Sequence, residues 1–180
     1  MNAERGSLVL AMMALVLLGA LGASLSIIAD TEMKVAGNYA LAQETIYAAE
    51  VGLEIVSQEL GGTADWLPIP AGPAMSAFVD GPPGGTRELS DGSLLNLADV
   101  TAGLDNRGWR LFAFGPLNRI QDPNGWQSPA YVVVWVAGDP AGDPSVLAIR
   151  AEAYGPGGTR RAVEAIISQG QGLLSWNEVR

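Results

Sequence analysis

The chain begins with an uninterrupted apolar run. A six-residue polar leader ends in Glu4-Arg5-Gly6, and no charged residue then appears from Ser7 to Ala29. A helix of that length extends about 34 Å, which is enough to cross the hydrocarbon core of a bilayer. The pattern therefore predicts a leader over residues 1–6 and a membrane-spanning helix over residues 7–29.

A second pattern starts where the apolar run ends. Apolar positions recur at alternating steps of four and three residues, as they do on one face of an α-helix. These positions are Val35, Tyr39, Ala42, Ile46, Ala49, Leu53, Val56 and Leu60. Gly61-Gly62 follows where a helix commonly ends. Residues 30–60 are therefore predicted to form an amphipathic second half of one long helix.

The rest of the chain, residues 61–180, predicts a β-rich globular domain. Residues 61–93 are rich in Gly, Pro, Asp and Ser, which favours loops with one short strand at 75–79. A polar strand or turn region is expected at 93–100. Strand-like runs follow at 109–114, 130–137, 146–154 and 160–168.

The last two of these runs alternate apolar and polar residues on both sides of Gly155-Pro156-Gly157-Gly158, which predicts an antiparallel hairpin. The run at 131–136 is apolar on both faces and predicts a central strand covered by the long helix on one side. The fold class is therefore α+β: a long N-terminal helix packed on one antiparallel sheet of about four strands. Residues 170–180, which contain Leu173, Leu174 and Trp176, form either a last short strand or a docking tail.

The amino-acid composition limits the kinds of site and partner that this chain can have. Nineteen acidic residues outnumber ten basic ones, for a net charge of −9, so nucleic acid is not an expected partner. The chain has no cysteine and no histidine, which excludes disulfides, zinc-thiolate sites, thiol nucleophiles and a histidine general base. We expect no cofactor and no enzymatic activity.

Two sets of side chains are candidates for binding. Asp122, Asn124, Asp139 and Asp143 offer oxygens on turn-rich segments, as a calcium loop does, although the same residues are ordinary turn formers. We favour turns, because neither segment has the ligand count of an EF-hand loop. Trp66 and Trp126 could contribute to an adhesive or subunit-contact surface if they are exposed.

The apolar span also carries signals for orientation and helix contact. Arg5 precedes the span while Asp30 and Glu32 follow it, which weakly favours a cytoplasmic N-terminus. Small residues at three- and four-residue spacing allow helices to approach closely in lipid. They are Gly19, Gly22, Ala23 and Ser26.

Two short motifs carry a resemblance to a known family. The segment EMKVAGN at 32–38, followed by AAEVGLE at 48–54, resembles the N-terminal region of PilX-type minor pilins of type IV pilus systems. In that family an RMAGN-like turn of helix precedes an AAEAGL stretch, and both follow an Arg-Gly-led hydrophobic segment. The resemblance covers about residues 5–56.

The resemblance implies cleavage by prepilin peptidase after Gly6, which leaves a methylated Ser7 as the N-terminus. It also implies an inner-membrane, single-pass protein that later reaches the pilus or cell surface. The implied partners are major and minor pilin subunits and the pilus assembly machinery. The residues expected on the assembly helix are Ala11, Gly19, Gly22, Ala23, Val35, Tyr39, Ile46, Leu53 and Val56.

One position departs from the major pilins of that family. They carry Glu at the fifth mature position, which here is Ala11. The departure favours a minor subunit at or near the filament tip that initiates or caps assembly. The alternative is a signal-anchored extracytoplasmic binding protein of the cell envelope. An anchored hydrolase that depends on carboxylates is a more remote third class.

Overall fold

The protein is represented by a computed structural model that describes residues 2–119, 128–139 and 141–179. The helices are α1 (Asn2–Gly61) and α2 (Leu97–Ala102). The strands are β1 (Thr86–Glu88), β2 (Leu94–Asn96), β3 (Arg110–Pro116), β4 (Tyr131–Gly138), β5 (Val146–Tyr154), β6 (Arg160–Ser168) and β7 (Gly172–Val179). The chain divides into two compact units, Met1–Ala40 and Leu41–Arg180.

The first unit is the N-terminal part of α1 and nothing else. Every side chain described between residues 7 and 40 is exposed, including the large apolar ones. A helix that is apolar all round needs another apolar environment to cover it. This unit contains no such cover.

The second unit is built on an antiparallel sheet in the order β3-β4-β5-β6-β7, with β1 and β2 forming a separate two-stranded sheet. The α+β class is confirmed, but the expectation of about four strands is wrong, because the main sheet has five. The fifth strand, β7, pairs with β6 through a register shift between Ile166 and Ile167. That shift places the neighbouring Leu173 and Leu174 at a bulge, which hides the period-two alternation in the sequence.

Other local predictions fared differently. The hairpin is confirmed, since β5 and β6 pair in register from Val146↔Ser168 to Tyr154↔Arg160. The strand expected at 75–79 is reduced to a single parallel bridge between Val79 and Phe114. The region 93–100 contains β2 and the start of α2. The side chain of Asn96 caps α2 by accepting a hydrogen bond from the Ala98 amide at 3.0 Å.

The two faces of the sheet bury different layers. One face packs on α1 through Ala48, Ala49, Leu53, Val56 and Leu60. The other face is covered by Leu95, Leu97 and Trp109, and the sheet residues Trp135 and Phe114 are fully buried there. As expected from its sequence, β4 is an interior strand buried on both faces. The helix approaches β4 closely at Gly52, where a β-carbon would collide with Val132.

Candidate functional site

The most unusual surface of the molecule is the exposed apolar part of α1. This is the one helix in the described part of the chain that is long and apolar enough to cross a membrane. Its most apolar stretch of 18 residues has a mean hydropathy of 2.5, and none of that stretch is buried within the structure. Such a helix can span a bilayer or serve as a signal anchor.

Three hydroxyl groups within this surface are satisfied by the helix itself. The side chains of Ser24, Ser26 and Thr31 each donate a hydrogen bond to the carbonyl four residues earlier, at 2.9, 3.1 and 2.9 Å. These bonds matter because an unpaired hydroxyl is costly in an apolar environment. At the polar end of the span, Lys34 donates to Asp30 at 2.7 Å. The surface is therefore suited to lipid or to another apolar helix.

The small residues expected to allow close contact have open space around them. A β-carbon at Gly19 or Gly22 would meet no atom within 4 Å. Ala11 and Ala23 are also exposed. Gly6 and Ser7, the proposed processing site, lie within α1 with no break in the helix between them.

The apolar stripe of α1 divides into two parts. Val35 is 63% exposed and Tyr39 is 67% exposed. Farther along, Ile46 is half-buried against the core, while Leu53 and Val56 are buried. We call residues 45–60 of α1, which pack on the sheet, the docked half. The apolar residues that hold it therefore belong to the later part of the stripe.

Several contacts that fix the docked half of α1 involve residues outside the apolar stripe. The Thr45 hydroxyl is buried and lies 3.0 Å from the Thr159 hydroxyl. Near the same end of this half, Ser128 donates to Glu44 at 3.1 Å, and near its other end the Ala77 amide donates to Glu59 at 3.0 Å. Polar bonds at both ends therefore help to hold this half in one orientation on the sheet.

A polar network that the sequence did not reveal lies on the other face of the sheet. Glu152 is fully buried on β5 and accepts hydrogen bonds from three neighbours. Arg150 donates at 2.7 Å, Arg160 at 2.9 Å and the Tyr154 hydroxyl at 2.7 Å. Glu164 extends the network by accepting from Arg150 at 2.6 Å. The alternation Arg150-x-Glu152-x-Tyr154 was a signal, but the pairing needs the hairpin register.

The protonation of this network is set by its partners. Burial alone would raise the pKa of Glu152, but donation from Arg160, Tyr154 and Arg150 outweighs it and the pKa is lowered. Burial and the neighbouring Glu152 carboxylate raise the pKa of Tyr154. Glu152 is therefore an ionised, saturated acceptor, and its role is to hold β5 and β6 together.

The candidate calcium ligands do not assemble into a site in the described residues. Asp122 and Asn124 lie outside them, as does Trp126. Asp143 accepts hydrogen bonds from Ser145 at 2.8 and 2.6 Å, which lower its pKa, and its own amide donates to Asp139 at 3.2 Å. Across the described ranges, no group of three or more acidic residues could hold a metal ion.

Trp66 differs from the expectation of an exposed binding aromatic. It is buried in the core, and its indole N–H donates to the Leu60 carbonyl at 2.9 Å. The same carbonyl, in the last turn of α1, also accepts from the Thr63 amide at 2.9 Å. Trp66 therefore caps the helix and does not contribute to a surface.

Comparison with known proteins places the chain in no family. No protein-family model matches the sequence, and neither a curated protein nor a solved structure shows significant similarity to it. A proposal about function therefore rests on the exposed half of α1 and on the packing of the second unit.

Proposed function

We propose that this protein is a structural minor pilin of the PilX type, which initiates or caps assembly of a type IV pilus or a related pseudopilus. The observation that carries the proposal is the contrast along α1. The helix runs unbroken from Asn2 to Gly61. Its apolar side chains are exposed over residues 7–39, whereas over residues 45–60 one face is buried at Ala48, Ala49, Leu53, Val56 and Leu60. The exposed part needs a partner that its own unit does not supply.

Lipid and other helices are the two partners that suit this surface. Large apolar side chains such as Leu10, Val16 and Leu25 cover it, and the hydroxyls of Ser24 and Ser26 within it are already paired. The open positions at Gly19 and Gly22 would let a neighbouring helix approach. A subunit stored in the membrane and then moved into a helical filament core exchanges one of these partners for the other.

The absence of a carboxylate at Ala11 supports a position at the filament tip. In a filament core, a carboxylate at this position would offset the charged α-amine of an adjacent subunit, because an unpaired buried charge is costly. Ala11 is exposed and offers no such group. A subunit of this kind enters the membrane but lacks the contact that propagates the filament.

Processing and localisation follow from the same proposal. Prepilin peptidase would remove residues 1–6 and leave Ser7 as the N-terminus. Before assembly the protein would lie in the inner membrane with Arg5 on the cytoplasmic side and Asp30 beyond the span. After assembly the acidic second unit would be displayed on the pilus, with major and minor pilins as neighbours. The rival is a plain signal anchor that holds an extracytoplasmic binding domain.

Mass spectrometry of the N-terminal peptide, from native membranes and from sheared surface filaments, tests the proposal. We expect a chain that starts at Ser7 and carries an N-methyl group. Replacement of Gly6 should leave the leader in place and remove the protein from filaments. Gly84→Ala is the matched control, because Gly84 lies outside α1 and a β-carbon has free space at that position.

An intact start at Met1 or Asn2 in functional protein would favour the plain anchor. Exchange of residues 1–29 for an unrelated membrane span separates the two roles further. A pilin should lose its function in this exchange, and a tethered binding domain should keep it. Labelled protein along whole filaments would contradict a position at the tip.

A further inference from the structure

The two edges of the five-stranded sheet differ in whether another segment covers them. The outer edge of β3 is covered by residues 76–79: the Ser76 amide donates to Phe112 at 2.9 Å and the Phe114 amide donates to Phe78 at 3.0 Å. The outer edge of β7 has no neighbouring strand in the described part of the chain. An uncovered edge presents a row of backbone donors and acceptors that another strand can pair with.

Several features of β7 leave this edge open to pairing. The strand is eight residues long and contains no proline, and Glu178 is its one charged residue. Leu173 is 58% exposed and Trp176 is 44% exposed. Natural edge strands are commonly shortened or protected by charge, whereas this one carries a bulge at Leu174 and a single charge near its end, Glu178, which pairs with Arg161 at 3.7 Å.

A groove runs between β7 and α1 on the same side. Leu173 and Trp176 lie opposite Ile167 and Ala165, which pack in the core under α1, so all four side chains share that face. The groove has a volume of about 330 Å³ and is lined by Leu53, Glu54, Ser57 and Leu173. An added strand would point every second side chain into it.

The charge of the groove indicates what kind of strand fits. Glu54 is exposed at its edge and accepts a hydrogen bond from the neutral amide of Gln58 at 2.7 Å. Within the described residues, no ion pair joins Glu50 or Glu54 to a cation. A strand with a Lys or Arg facing α1 would supply that cation.

A second copy of this chain fits less well. If β7 paired antiparallel with β7 of another copy over its full length, Glu178 of one copy would lie opposite Leu173 of the other. That arrangement would place beside Glu54 a carboxylate that already pairs with Arg161 of its own copy at 3.7 Å, and residues 172–179 contain no basic residue to pair with Glu54. A second copy would therefore leave Glu54 without a cation.

We propose that the free edge of β7 binds an extended strand of a different protein, whose α1-facing row is apolar with one basic residue beside Glu54. The backbone ladder would supply affinity, and the groove would select the side chains. This interaction is independent of the pilus role, so its failure would leave that role untouched.

Hydrogen exchange on the full chain in detergent micelles tests the proposal. The probe is an eight-residue peptide that alternates Thr with Val and carries one central Lys in the Val row. A second peptide has Glu in place of Lys, and a third keeps all side chains but is N-methylated at alternate residues. We expect the Lys peptide to slow exchange across residues 172–179, and the N-methylated peptide to have no effect.

Charge reversal provides the matched comparison. The Glu peptide should bind about two- to fivefold more weakly than the Lys peptide, as for a partly exposed ion pair. Glu54→Lys should reverse that order. Glu88→Lys, which makes the same charge change on the separate β1–β2 sheet, should leave it unchanged.

Three outcomes would overturn the proposal. The first is that no peptide slows exchange in β7. The second is a charge preference that Glu54→Lys does not change. The third is slow exchange of residues 172–179 without peptide, together with a dimer in solution, which would identify a second copy as the occupant.

Discussion

The two halves of α1 are alike in helical geometry and opposite in environment. Over residues 7–39 the helix exposes Leu, Val, Ile and Met side chains, whereas over residues 45–60 it buries a face built around Ala48, Ala49 and Gly52. In the docked half, small residues mark where a sheet approaches the backbone. In the exposed half, Gly19 and Gly22 touch nothing. An apolar helical face therefore calls for an apolar cover, and only packing shows whether that cover belongs to the same chain.

The largest expected difference between the halves comes from truncating a leucine in each. Leu60 is 1% exposed and packs in the core, so Leu60→Ala should destabilise the second unit by about 3 kcal/mol. Leu10→Ala removes a side chain that is exposed within the structure, and it should change stability by less than about 0.5 kcal/mol. Denaturant unfolding of the full chain in micelles measures both. Equal losses would contradict the division of α1 into two environments.

Replacing a glycine by a larger residue should distinguish the two halves of α1 nearly as strongly. Gly52→Val would force the new side chain against Val132 and should cost about 2 kcal/mol by overpacking. Gly22→Val, in open space, should leave the stability of the second unit unchanged. Filament incorporation gives a second readout, because Gly22→Val should reduce it if a helix packs there. A stable Gly52→Val variant would show that the helix can move away from the sheet.

Acid titration tests how far the stability of the second unit depends on the Glu152 network. That network holds together β5 and β6 of the sheet on which the docked half packs. The folded-state pKa of Glu152 is lowered, so its contribution to stability is present above the ordinary value of 4.5 and is lost as the pH falls through the lowered pKa. Glu152→Gln should cost about 1–2 kcal/mol at pH 7 and flatten the loss of stability on acidification. Glu88→Gln, on an exposed strand, is the control. An unchanged acid profile in Glu152→Gln would assign the sensitivity to other carboxylates.

The smallest effect is expected at the polar end of the exposed half. Lys34 and Asp30 form an exposed ion pair four residues apart, and Lys34→Ala should cost less than about 0.5 kcal/mol of local helix stability. The loss should disappear at high salt because exposed charges are screened. Hydrogen exchange at residues 30–40 measures it. A large, salt-independent effect would indicate that the pair contacts something beyond solvent.

How much the sequence predicts depends on how local each interaction is. The β5–β6 hairpin was predictable because its alternation and its glycine turn lie within one short segment. The network at Glu152 was not, because Arg160 reaches it only once Tyr154 pairs with Arg160 across the hairpin. The burial of Trp66 likewise depends on a loop folding back on the end of α1. The adjacent Leu173 and Leu174 concealed β7, since a bulge removes the alternation on which strand prediction relies.

The candidate site follows the same rule. The apolar span, its small residues and its polar end were all readable along the chain. The extent of the docked half could not be predicted, because Thr45, Ala48 and Gly52 lie outside the stripe of apolar positions in the sequence. Gly52 faces Val132, 80 residues later, and Thr45 meets Thr159, 114 residues later, and no local pattern encodes those distances.

The sequence separation of these contacts also has a consequence for the order of folding. Arg150 and Glu164 meet across 14 residues, whereas Thr45 and Thr159 meet across 114. Short-range contacts close at less entropic cost, so the hairpin should form early and the helix should dock late. High φ-values at Ala151 with low ones at Val56 would show this order. During synthesis, α1 leaves the ribosome before the strands that it packs on, so its docked half stays uncovered until residues 131–168 have emerged.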